Sequence, residues 1–92
     1  MVAFVVTWQV VSGQLERLLA QAPQLLPSLQ QQPGFESLSV YVNWEEDTLH
    51  TISHWASRED LEADNPHHAQ SVKALAKVAT VRESKTYELV PL

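Results

Sequence analysis

Four histidines, three tryptophans and two tyrosines are the side chains of this sequence with the most chemistry to offer. His50 and His54 stand four residues apart in an alternating segment, and His67 and His68 are adjacent. A structural metal site needs about four ligands converging at ~2 Å. Four strand residues span roughly 13 Å, and adjacent helix residues point about 100° apart. No H-x-x-x-H on a helix and no H-E-x-x-H occurs, so no metal site is expected. Proton transfer suits these imidazoles better, because both protonation states are accessible near neutral pH. Helical spacing places His68 with Val72, Leu75 and Ala76, on a face turned towards a sheet. With His54 across from it, the two would form a catalytic acid–base pair. The alternative is a buried neutral imidazole satisfied by a carbonyl or water. Trp55 either lines a substrate pocket or fills a core or subunit interface. Tyr41 and Tyr87 are either phenolic donors to a ligand or packing residues with a wet hydroxyl.

The elements that position these groups follow from periodicity and punctuation. Val2 to Val11 is rich in β-branched and aromatic residues and reads as a strand. Phe4, Val6, Trp8 and Val10 share one face; the other face, with Ala3, Val5 and Val11, also reads as largely apolar. Leucines 15, 18, 19, 26 and 29 then keep helical spacing. Pro23 and Pro27 interrupt this run, which predicts a kink or restart at Ala22–Pro23. Pro33-Gly34 signals a turn. Phe35 to Asn43 and Thr48 to Ala56 read as a hairpin around the acidic tip Trp44-Glu45-Glu46-Asp47. Ser57 and Asp60 have capping-box spacing and start a second helix. Asn65-Pro66 reads as a further start, with Asn as cap and a helical face that includes Ala79. Ser84 to Val90 reads as the last strand. The order β-α-β-β-α-β predicts an α+β, ferredoxin-like fold in one domain over residues 1–92. Its four-stranded antiparallel sheet carries helices on one face.

Composition narrows the partners. At 92 residues without cysteine, the chain is small and has neither disulfides nor thiolate ligands to stabilise it, which favours self-association. A homodimer joined through the sheet faces is expected, since an uncovered apolar sheet face would be sticky. The net charge of −5 argues against nucleic acid, and with it against an RNA-recognition module of the same strand order. No apolar run is long enough to span a bilayer. The apolar residues 2–6 lack a basic flank and a cleavage site, so no signal peptide is read and a cytoplasmic location is expected. Two distant glycines cannot build a phosphate loop, and no G-x-S-x-G or Cys nucleophile is present.

The element order, the Pro-Gly-Phe turn, the Trp55-Ala56-Ser57 corner, Asn-Pro-His-His and the closing Thr-Tyr-Glu-Leu-Val-Pro together resemble the antibiotic biosynthesis monooxygenase domains. The resemblance implies a dimeric α+β barrel with a pocket between sheet and helices. It also implies oxidation of a small apolar or aromatic metabolite by dioxygen without a cofactor. Trp55 stands at the family's pocket tryptophan. Thr51, Leu61 and Val72 stand where the quinone-forming members carry Asn, Tyr and Arg. For the haem-degrading members, the matching positions hold Thr7 or Trp8, Asp64 and Val72. Neither catalytic set is intact. The expected pocket therefore comprises Trp8, Tyr41, Thr51, Trp55, Leu61 and Val72. The alternative function is a non-catalytic dimeric ligand-binding or stress-related module.

Overall fold

The computed structural model describes residues 1–92. Its strands are β1 (Val2–Val10), β2 (Phe35–Asn43), β3 (Thr48–Trp55) and β4 (Ala79–Glu88). They form one antiparallel sheet in the order β2-β3-β1-β4. The helices are α1 (Leu15–Gln21), α2 (Leu26–Gln30), α3 (Arg58–Ala63) and α4 (Asn65–Ala74). The predicted α+β, ferredoxin-like fold is the observed one.

β1 and β3 occupy the middle of the sheet, as the apolar residues on both faces of β1 suit an interior strand. Val2, Val6, Trp8 and Val10 are buried beneath the helices. Leu15, Leu18, Leu49 and Ala79 close one core around Val6, Trp8 and Val10, while Val2, Trp55 and Leu61 form a second. Phe4 touches both. The β2–β3 hairpin turns at Asp47, whose positive φ of 54° a short polar side chain tolerates. The Asn43 side-chain oxygen accepts from the backbone N–H groups of Glu45 and Glu46 at 3.0 and 3.1 Å. The tip is tied to β1 by Val10 N–H donating to Asp47 O at 2.8 Å.

Proline breaks the first helical run where the sequence predicts it. α1 stops at Gln21, a 3-10 turn takes Ala22–Gln24, and α2 follows. Pro23 and Pro27 each take the second position of a new segment, where the missing N–H has no intrahelical partner to lose.

Four expectations need correction. β4 starts at Ala79, not Ser84, because pairing with β1 (Val10 opposite Ala79) extends the ladder through charged residues that suit an edge strand. Ala79 is therefore a buried strand residue and not part of a helix face. At α4 the capping position belongs to Asp64, and Asn65 is the first helical residue. The acid of the Ser57–Asp60 box does not reach back to the backbone. Asp60 N–H donates to Ser57 Oγ at 3.2 Å, and Ser57 Oγ donates to Asp60 Oδ2 at 2.9 Å. Lastly, the sheet face away from the helices is mixed. Its apolar centre is the Val5–Ile52 pair with Ala3; Ser37, Ser39, Thr7, His50, His54, Glu83 and Lys85 surround that centre. The alternation of β1 does not carry across to its neighbours.

Candidate functional site

The broken α1–α2 arc does not close on the sheet. Leu18, Leu19, Ala22, Leu25 and Leu29 ring a gap over Leu38 and Val40 of β2 and Leu49 of β3. Trp8 forms part of the floor, and Leu75 after α4 completes the apolar wall. The cavity measures about 140 Å³. Leu25 and Val40, 47% and 38% exposed, mark its mouth. Four polar side chains border this space: Thr51 and Ser53 from β3, and His67 and Ser71 from α4. Few polar groups on a mostly apolar wall is the usual composition of a small-molecule site.

Each polar group is fixed by its surroundings. Thr51 Oγ1 accepts from the Trp8 indole N–H at 3.2 Å, so its own proton is left to donate elsewhere. Ser53 Oγ accepts from the Trp55 indole N–H at 2.9 Å. Ser71 Oγ donates to the carbonyl of His67, one helical turn back, at 3.2 Å. His67 is the one titratable side chain bordering the cavity. Its Nδ1 lies 3.5 Å from Oδ1 of Asp64. The Asp64 side chain is only 8% exposed, and Oδ1 has no hydrogen-bond partner. Although Asp64 holds the capping position of α4, it caps no backbone N–H. Burial raises the carboxyl above its ordinary pKa, against the opposing pull of His67 and then His68.

His68 packs edge-on against Phe4 and Trp8, with ring centroids 5.2 and 6.3 Å away. Burial lowers its pKa, only partly opposed by Asp64, and His67 lowers it further. It does not border the cavity. His54 does not face it: it stands on the opposite face of the sheet, with Nδ1 3.0 Å from Ser37 Oγ. The His54–His68 pair is thus impossible, because alternation along β3 directs Ser53 and His54 to opposite faces. Tyr41 lies on that same far face and is 61% exposed. Trp55 is 1% exposed and packs edge-on against Phe35 at 5.6 Å, away from the cavity. Leu61 shares the Trp55 core, and Val72 packs on the larger one. Of the residues singled out from the sequence, Trp8 and Thr51 border the cavity.

Sequence reasoning missed His67, Ser53 and Ser71. The face read from apolar spacing is the observed one, with His68 against Phe4 and Trp8 of the sheet; the cavity lies beside it, along the flank where His67, Ser71 and Leu75 succeed one another at four-residue spacing. An acid three residues before His67 was the available signal, since i and i+3 are neighbours on a helix.

A family model described as antibiotic biosynthesis monooxygenase matches residues 1–77. The chain belongs to this family. Solved structures with the same fold include SnoaB of Streptomyces nogalater, a cofactor-independent oxygenase, at 17% identity and a TM-score of 0.80, covering 99% of this chain and 94% of that one. MupZ of Pseudomonas fluorescens aligns at 12% identity with a TM-score of 0.79, over 92% of this chain and 69% of its own. A conserved protein of Methanosarcina mazei Go1 aligns at 16% identity with a TM-score of 0.75, over 95% and 90%. At these identities the likeness concerns the fold alone. No curated protein matches the sequence significantly. No helix of this monooxygenase-family chain is long and apolar enough to cross a membrane.

Proposed function

We propose that this family member binds a small, apolar, aromatic metabolite in the cavity between sheet and helices and oxidises it with dioxygen, without an added cofactor. The observation that carries this reading is the cavity itself, apolar on most sides with Thr51, Ser53, His67 and Ser71 at its border. An electron-rich phenol suits such a space. Once deprotonated, it passes an electron to dioxygen; the radical pair recombines at a ring C–H carbon. Loss of water then leaves a quinone, so that one phenol and one O₂ give one quinone and one H₂O. The protein binds the ring, excludes water and takes up the phenolic proton.

A homodimer joined through the open sheet face is part of the proposal. The accessible surface of the single chain is 6228 Å². A compact monomer of 10.4 kDa exposes about 5,400 Å². The surplus of roughly 800 Å² is what one partner buries in a standard interface. The central Val5–Ile52 pair supplies an apolar contact, and the surrounding polar groups supply a rim.

The test is a panel of hydroxylated one-ring and fused-ring aromatics, followed by melting temperature and by an oxygen electrode. Saturable stabilisation with stoichiometric oxygen uptake is the expected result. Saturable binding without uptake would instead favour the second reading, a non-catalytic binding module. That reading draws support from Leu61 and Val72, apolar residues at positions where the quinone-forming relatives carry polar ones.

A further inference from the structure

We infer that Asp64 and His67 form a proton-accepting dyad, which makes the cavity's ligand a one-ring phenol or enol bound with its acidic O–H towards the first turn of α4. This inference rests on the proposed ligand site and adds to it the group that ionises the ligand.

The geometry has three parts. His67 borders the cavity and Asp64 does not, so the imidazole stands between the carboxylate and the bound molecule. Asp64 Oδ1 is buried without a hydrogen bond, and the His67 ring nitrogen Nδ1 lies 3.5 Å from it. A buried acceptor of this kind is costly unless a donor serves it. A small rotation of the ring brings a protonated Nδ1 into a hydrogen bond with Oδ1. Catalytic hydrogen bonds are commonly this long before the substrate is bound. With its proton on Nδ1, the neutral ring keeps its lone pair on Nε2, on the side away from Asp64.

The charges favour uptake of a proton at Nε2. The O–H bond of the ligand breaks, an N–H bond forms, and the resulting imidazolium lies between the ligand's oxyanion and the Asp64 carboxylate. The one other ionisable group close to the pair is His68 on α4. α1, α2 and the sheet contribute no charged side chain to the cavity border. Burial strengthens each of these attractions, because little water is present to screen them. Thr51, whose hydroxyl proton is free, is a second donor available to the ligand.

The cavity volume matches a single ring. About 150 Å³ of enclosed apolar space accommodates benzene, and this cavity offers about 140 Å³. One ring fits without rearrangement, and substituents must leave past Leu25 and Val40.

The test uses 4-nitrophenol, whose ionised form absorbs at longer wavelength than the neutral one. It is titrated into the wild-type protein at a pH below the free phenol's own pKa. Melting shift reports binding, and absorbance reports ionisation. Wild type is expected to bind it with a several-fold higher ionised fraction than in buffer. H67Q is expected to bind it in the neutral form, and D64N, which keeps the side chain's shape, to fall between the two. H68Q is expected to retain the wild-type signal. Binding to wild type and H67Q with the same ionised fraction overturns the dyad and leaves the ligand site standing, as does loss of the signal in H68Q with retention in H67Q. Absence of binding to wild type, with the one-ring and fused-ring panel also silent, overturns the ligand site and the dyad with it.

Discussion

Gly34→Ala tests how the turn before β2 is held. Gly34 has φ of +79°, and a methyl group placed there would overlap the carboxyl of Asp60. Its carbonyl accepts from Ala56 N–H at 2.8 Å, joining the turn to the end of β3. Two costs follow from the substitution. An alanine held in the left-handed region costs roughly 1–2 kcal/mol. Displacing Asp60 also disturbs its mutual hydrogen bonds with Ser57, at 2.9 and 3.2 Å, which cap α3. Loss of such a cap costs about 1 kcal/mol. Their sum is about 2–3 kcal/mol, or roughly 10–20 °C in melting temperature for a domain of this size. Urea unfolding at fixed protein concentration measures it, since the proposed dimer would make stability depend on concentration. In an Asp60→Gly background, which also removes the Cβ that the new methyl would meet, the overlap disappears and only the backbone cost should remain, giving a coupling of about 1 kcal/mol. Equal costs in both backgrounds, or a total below about 0.5 kcal/mol, would refute the reasoning.

Other expectations concern pH, assembly and access. Burial lowers the pKa of His68 from its ordinary 6.5, so the unfolded chain binds this proton more readily than the folded one. Stability should therefore be full above about pH 6.5 and decline as pH falls below it, and the decline should shrink in H68Q when followed by urea midpoints. Asp64 acts in the opposite sense: its raised pKa means the folded chain takes up that proton more readily, so D64N should be no less stable than wild type at neutral pH. Ile52→Glu places a charge at the centre of the open sheet face; sedimentation should then report the 10.4 kDa monomer, where wild type is expected to sediment at twice that mass. Leu25→Trp at the cavity mouth should abolish ligand-induced stabilisation while leaving the ligand-free melting temperature within about 2 °C, because the position is half-exposed. A large loss of ligand-free stability would show that Leu25 is core and not entrance.

The sequence by itself determined what neighbouring residues decide. Alternation from Val2 to Val10 set the central strand, Pro23 and Pro27 divided the first helical run, and Ser57 with Asp60 fixed the start of α3. These are short-range effects of φ restriction, missing donors and side-chain caps, and they suffice for the order of elements and hence the fold class. The cavity was out of reach, because it is space left between residues from β1–β3, α1, α2 and α4 whose separation depends on how a broken helix sits over an edge strand. The choice of His67 over His68 depended on which flank of α4 the gap under α1 and α2 falls, and the separation of His54 from His68 on which face of β3 met the helices. The mixed character of the open face emerged only when β1 was set beside β2, β3 and β4, since each strand contributes its own alternation to a shared surface. Local chemistry thus selects the elements, while the meeting of distant residues, which only tertiary packing decides, creates the site.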